Sequence, residues 1–151
     1  HAAGTPLAAM MIDLDHFKSI NDALGHAVGD EVLIGVAQEL ASSVRAADEL
    51  VRFGGEEFLA LLPGLAPADA HRRAEELRRR LGGLHLGPVG EPVRVTASIG
   101  LAHLAPGQSP DALLRAADDA LYAAKAAGRD RVVAAPRPDG GSREAPRLLR
   151  R

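Results

Sequence analysis

Two acidic pairs frame the chemistry open to this chain. Glu56 and Glu57 follow a glycine pair in Arg52-Phe53-Gly54-Gly55-Glu56-Glu57-Phe58-Leu59, and Asp13 and Asp15 flank Leu14 at the end of an apolar run. Carboxylate oxygens are hard ligands of the kind Mg²⁺ takes, and a magnesium ion carried on a nucleotide's phosphates needs only one or two of them from the protein. Acidic residues at a hairpin tip read either as a solvated turn or as half of such a site, the other half coming from elsewhere in the chain. Asp13-Leu14-Asp15 is a candidate for that other half. In a strand, alternation puts Asp13 and Asp15 on one face and Leu14 on the other. By the same rule Glu56 goes with Phe58 and Glu57 faces the opposite way.

The elements that must position these groups can be read from periodicity. Apolar runs from Leu50 to Phe53 and from Phe58 to Leu62 predict a hairpin, with Gly54-Gly55 supplying positive φ to a two-residue turn. Leu7 to Leu14 is continuously apolar and predicts a buried central strand. Lys18 to Asp30, interrupted by Gly25 and Gly29, predicts a loop or broken helix able to fold over a ligand. Asp30 stands where it could cap a helix running to about Val44, with Leu33, Val36, Ala37 and Leu40 at helical spacing. A helix from near Pro67 follows, with Ala70, Ala74, Leu77 and Leu81 on one face and an arginine-rich, solvated face opposite. Val93, Val95, Ala97 and Ile99 alternate with Arg94, Thr96 and Ser98, predicting a half-buried strand. Ser109-Pro110 start a helix to about Ala127, Gly128 stops it, and Val132-Val133 make a short last strand. This order is not a regular βα alternation. It predicts an α+β fold with a central antiparallel sheet covered by helices.

Composition bounds the function. With 151 residues and 46% hydrophobic content the chain can build one full core. The domain is expected over residues 7-135, after a disordered lead-in at 1-6 and before a disordered basic tail at 136-151. Eighteen Lys and Arg against 20 Asp and Glu leave a net charge of -2, which argues against bulk nucleic-acid binding. The absence of cysteine excludes disulfides and thiolate metal sites and fits a reducing, cytoplasmic setting. No apolar run approaches the roughly 20 residues of a membrane span, although the full-length protein could be membrane-anchored. His26 has no second His or Cys near it, so a zinc site is rejected. The chain opens on His1 without a signal-peptide pattern and reads as a fragment of a longer protein.

Gly54-Gly55-Glu56-Glu57-Phe58 resembles the signature of the GGDEF family, the diguanylate cyclases, with Glu at the third position. Asp13-Leu14-Asp15-His16-Phe17-Lys18, Asn21-Asp22, and Gly25-His26 to Gly29-Asp30 are similar to the family's upstream block. Ser98-Ile99-Gly100, Ala117-Asp118 through Ala120-Leu121-Tyr122, Lys125, Gly128 and Arg129 are similar to its downstream blocks. The resemblance runs from about Leu7 to about Val133. It implies a ferredoxin-like core similar to the palm of polymerases and class III nucleotide cyclases. The implied activity is condensation of two GTP into cyclic di-GMP and two pyrophosphates at a homodimer interface, in bacterial second-messenger signalling. Two Mg²⁺ ions per site are implied, with Mn²⁺ as a possible substitute. Asp13 and Glu56 would be the metal carboxylates and the Leu14 carbonyl a further ligand. Glu57 would be the base or a metal-tuning residue, acting with Glu56 and Lys18. Asn21 and Asp30 match the guanine-reading pair, since Asp can accept from the N1 and N2 hydrogens of guanine. Gly54 and Gly55 would let backbone lie against the nucleotide. Lys18, Lys125 and Arg129 match phosphate contacts. Phe17 falls in the substrate-binding block, although by itself it reads as a packing residue. Taken alone, Asp30 reads as a helix cap and the three cations as surface charges.

Arg45-Ala46-Ala47-Asp48, five residues before Gly54, matches the family's inhibitory site for the product cyclic di-GMP. Glu76 stands where the family often places a second Arg, so product inhibition is expected to be weaker or to recruit Arg72 or Arg73. Asp130 replaces the usual Asn after Gly-Arg, a tolerated turn substitution. The family's N-terminal block, which links the domain to a regulatory partner, is missing, and the chain is expected to bind nucleotide better than it turns it over. The alternative is a non-catalytic receptor for GTP or cyclic di-GMP. Degenerate members of that kind typically lose the hairpin motif, whereas Asp13, Glu56 and Glu57 are all present.

Overall fold

A computed structural model of the chain describes residues 5–89 and 92–137. The expected lead-in and tail fall largely on 1–4 and 138–151, outside the described residues. Among the described residues the elements run β1 (Leu7–Leu14), α1 (Phe17–Leu24), α2 (His26–Ser43), β2 (Glu49–Arg52), β3 (Glu57–Pro63), α3 (Pro67–Gly82), β4 (Ala97–His103), α4 (Pro110–Ala126) and β5 (Val132–Ala134). The sheet order is β2-β3-β1-β4-β5. β1 pairs antiparallel with both β3 and β4, and β2 pairs antiparallel with β3. Those four strands with α2 and α3 make the doubled split βαβ of a ferredoxin-like core, as expected. β5 departs from the expected antiparallel sheet by adding to β4 in parallel.

β1 is central because it can be buried on both faces. Ala8, Met10, Ile12 and Leu14 enter a cluster with Val32, Val36 and Leu40 of α2 and Ala70, Ala74 and Leu81 of α3. Ala9 and Met11 enter a second cluster with Leu113, Ala117 and Leu121 of α4. Each large side chain so buried contributes about 1.5–3 kcal/mol. α4 starts as its sequence predicts, with Ser109 Oγ accepting from the Ala112 N–H at 3.1 Å and Pro110 in the first turn. No described helix is long and apolar enough to cross a membrane.

Of the two readings offered for Lys18 to Asp30 the structure has the broken helix, parted at Gly25, whose φ of 90° only glycine adopts easily. Three local expectations are corrected. Because α2 starts at His26 with Gly25 as its cap, Asp30 lies more than a turn inside the helix and is not a cap. β4 begins at Ala97, since Val93 instead pairs with Leu86, and it is buried on both faces because α3 and α4 cover opposite sides. The hairpin tip has three residues, closed by the Phe53 N–H donating to the Glu57 carbonyl at 2.8 Å, and neither Gly54 nor Gly55 has positive φ.

Candidate active site

The register of the β1–β3 ladder sets the acidic groups. Asp13 lies directly opposite Glu57, and one step further the Leu14 N–H donates to the Glu56 carbonyl at 3.3 Å. Asp13, Leu14, Glu56 and Glu57 thus meet at one end of the sheet. Like charges placed directly opposite in an antiparallel pair repel, and Asp13 is only 4% exposed, so water screens it little. The compensating charge comes from α4, whose Lys125 Nζ donates to Asp13 Oδ2. Gly100 makes that reach possible. A Cβ there would stand 2.2 Å from both the Ala117 carbonyl oxygen and the Leu121 nitrogen, so glycine lets α4 lie on β4.

Asp13 and Glu57, opposed across the ladder, and the Leu14 carbonyl next along β1 are hard oxygen donors of the type that could hold a magnesium ion. Among the described residues no three His, Asp or Glu side chains are grouped to enclose a metal.

The hairpin tip is shaped by Arg52, which sequence reading did not single out. Its Nη2 donates to the Gly55 carbonyl at 2.6 Å and its Nε to the carbonyls of Gly54 and Gly55 at 3.2 Å. A Cβ at Gly54 would lie 3.5 Å from Glu57 Cβ, and one at Gly55 would meet nothing within 4 Å. Asn21 and Asp30 sit on the neighbouring helices α1 and α2. Their approach depends on Gly29, where a Cβ would stand 1.8 Å from Asn21 Oδ1. Phe17 is 7% exposed and packs in the core, as its own reading indicated. Lys18, Asp30 and Arg129 are exposed, and none of the three side chains pairs with a described residue.

Arg45 and Asp48 are bound to each other. Arg45 Nη2 donates to Asp48 Oδ1 at 2.6 Å and to the Pro63 carbonyl at 2.7 Å. Arg73, one of the two arginines suggested as a stand-in, donates to Asp48 Oδ2 at 3.2 Å and to the Ser43 carbonyl at 3.0 Å. The other, Arg72, pairs with Asp69, and Glu76 pairs with Arg80. Burial pushes the Asp48 carboxyl up, but hydrogen bonds from Arg45 and Arg73 more than reverse this and hold it below the usual carboxylate range. Asp130 is likewise engaged, accepting from Arg78 Nη1 at 2.8 Å. That contact accommodates the carboxylate at this turn. Beside the Asp48 cluster a pocket of about 180 Å³ opens between α2, α3 and the sheet, lined by Met10, Ile12, Leu40, Leu62 and Leu77 with Arg73 at its edge, and it includes none of the acidic site.

Comparison with known proteins agrees with this fold. Residues 1–131 match the family described as diguanylate cyclase, GGDEF domain. The response regulator PleD of Caulobacter vibrioides is 48% identical over 133 residues, covering 86% of this chain and 29% of that protein. The diguanylate cyclase DgcP of Pseudomonas aeruginosa is 42% identical over 135 residues, covering 89% of this chain and 20% of that protein. The chain therefore spans less than a third of the length of these relatives. Among solved structures, the GGDEF domain of DgcB from Caulobacter crescentus in complex with c-di-GMP aligns with a TM-score of 0.82 at 35% identity, covering 87% of this chain and 78% of that one. The active GGEEF domain of a diguanylate cyclase from Vibrio cholerae aligns at 0.80 and 34% identity, covering 87% and 84%.

Proposed function

This chain belongs to the GGDEF family, and from that membership we propose that it is a diguanylate cyclase domain, joining two GTP into cyclic di-GMP with release of two pyrophosphates. The observation that carries the reading is the Asp13–Glu57 pair, opposed across the β1–β3 ladder, with Lys125 on Asp13. Bound divalent cations would neutralise the triphosphate and acidify the attacking hydroxyl. Asp13, Glu56 and the Leu14 carbonyl would hold them. Lys18, Lys125 and Arg129 bring positive charge to the phosphates, and the backbone at Gly54-Gly55 lies close to the nucleotide. Asn21 and Asp30 read the guanine edge, and Asp30, freed of any capping role, has its carboxylate available for the N1 and N2 hydrogens. With one such set per chain, each domain holds one GTP. The 3′-oxygen of one attacks the α-phosphate of the other, the bond to pyrophosphate breaks, and the hydroxyl proton leaves, with Glu57 as a candidate acceptor.

Arg45 and Asp48 are the proposed inhibitory product site, with Arg73 rather than Glu76 completing it from α3. A cyclic di-GMP molecule would have to displace the Arg45–Asp48 pair, which weakens product inhibition.

The test is pyrophosphate and cyclic di-GMP release from GTP with Mg²⁺. Wild-type chain is expected to form both, and Asp13→Ala and Glu57→Ala are expected to lose at least about 100-fold in rate, the scale set for one electrostatic contributor. Tight GTP binding without pyrophosphate release, both in this chain and with the family's N-terminal block joined to it, would show a nucleotide receptor instead.

A further inference from the structure

We propose that Asp15 is a positioning residue for the phosphate-binding Arg129, acting through the turn between α4 and β5; the proposal rests on the nucleotide reading above. Asp15 is 5% exposed, and its carboxylate accepts from Ser98 Oγ at 2.6 Å, Thr96 Oγ1 at 2.7 Å and the backbone N–H of Asp130 at 3.0 Å. One buried side chain at the end of β1 therefore fixes the entry to β4 and the turn leaving α4. Its acceptor positions face protein donors, which separates its work from that of Asp13 two residues earlier.

The turn needs such a hold. Arg129 and Asp130 have φ of 64° and 46°, two consecutive non-glycine residues in the left-handed region. Residues in that region persist where their surroundings over-determine them. Here Asp15 takes the Asp130 N–H, Arg78 of α3 takes the Asp130 carboxylate, and the Ala124 carbonyl takes the Arg129 N–H at 3.0 Å. Pins from β1, α3 and α4 converge on the backbone around Arg129, while its own side chain is left without a partner among the described residues. The arrangement directs a free guanidinium from a clamped backbone, on the same helix end that carries Lys125 to Asp13.

The experiment measures affinity for 3′-deoxy-GTP with Mg²⁺, a probe lacking the attacking hydroxyl, by calorimetry on the whole chain. Arg129→Ala is expected to weaken binding about tenfold, the worth of one charge-assisted hydrogen bond, and Asp15→Ala by a similar factor. If Asp15 acts through Arg129, the double variant binds no more weakly than Arg129→Ala alone. Asp15→Asn restores affinity to within about threefold, because its carbonyl still accepts from Thr96 and Asp130 while its amide donates to Ser98. Additive losses, or wild-type affinity in folded Asp15→Ala, would overturn the proposal. Should Asp15→Ala fail to fold, Arg78→Ala releases the second pin and must lower affinity only while Arg129 is present; an equal loss in the Arg129→Ala background overturns it as well. No binding by the wild type would sink the nucleotide reading itself, and this proposal with it.

Discussion

Glycine at position 55 has no duty inside the folded chain. A Cβ built there meets no atom within 4 Å, and the residue does not use the left-handed region that would demand glycine. Under the proposed function its lack of a side chain serves a nucleotide that lies against the backbone. Gly55→Ala is therefore expected to leave thermal stability within about 0.5 kcal/mol of wild type, while lowering pyrophosphate release at least about tenfold through misplacement of the nucleotide. A calorimetric scan beside a rate measurement checks both, and an unchanged rate would remove the close-approach role. The family resemblance implied this role, whereas the residue types alone predicted positive φ in a two-residue turn, which the hairpin does not have. Turn geometry depends on which residues close the ladder, and Phe53 to Glu57 closes it around three. Asp130 was legible only as a departure from the family pattern. Its partner Arg78 lies 52 residues away in sequence, on a helix face that reads as solvated.

At the scale of elements, the chain's periodicity marked β1, α3 and α4 well, because each buries a continuous stripe or both faces. The segment between Asp15 and Asp30 was less legible. The eight-residue α1 carries too little periodicity to show where it ends and α2 begins, and the Asp30 cap was lost with that boundary. The link between α3 and the hairpin was legible only through the family resemblance, as recruitment of Arg72 or Arg73, because it is made by polar side chains distant in sequence. Arg73 reaches Asp48 and the last turn of α2, and Arg45 reaches the end of β3. Asp48 is held below its unfolded pKa, so its contribution is fully present above the usual carboxylate range, about pH 4, and is lost as pH falls through the lowered folded value. Asp48→Asn is expected to cost about 2 kcal/mol at neutral pH, since two arginines lose a charged acceptor. It should also flatten the fall in stability below about pH 4. Urea unfolding at pH 7 and pH 3 measures this, and an acid-limb slope identical to wild type would assign acid sensitivity to other carboxylates.

Under the proposed function, the described residues present one opposed Asp13–Glu57 pair, one Asn21 and Asp30 pair and one turn bearing Arg129, which would be provision for a single nucleotide. On that reading a product built from two guanosine nucleotides needs two chains, which we propose meet with their hairpins and α4 ends facing each other. Mass action makes the meeting concentration-dependent. Charge would oppose it, since two bound triphosphates repel until cations and the Lys125 and Arg129 side chains neutralise them. Below the dimer dissociation constant, with GTP and Mg²⁺ saturating, the rate per chain should rise in proportion to chain concentration, about tenfold for each tenfold increase, before levelling off. Sedimentation with 3′-deoxy-GTP should then show dimer over the same range. A rate per chain that stays flat while sedimentation shows only monomer would mean that a single domain completes the reaction, and the one-nucleotide account of the site would fall with it.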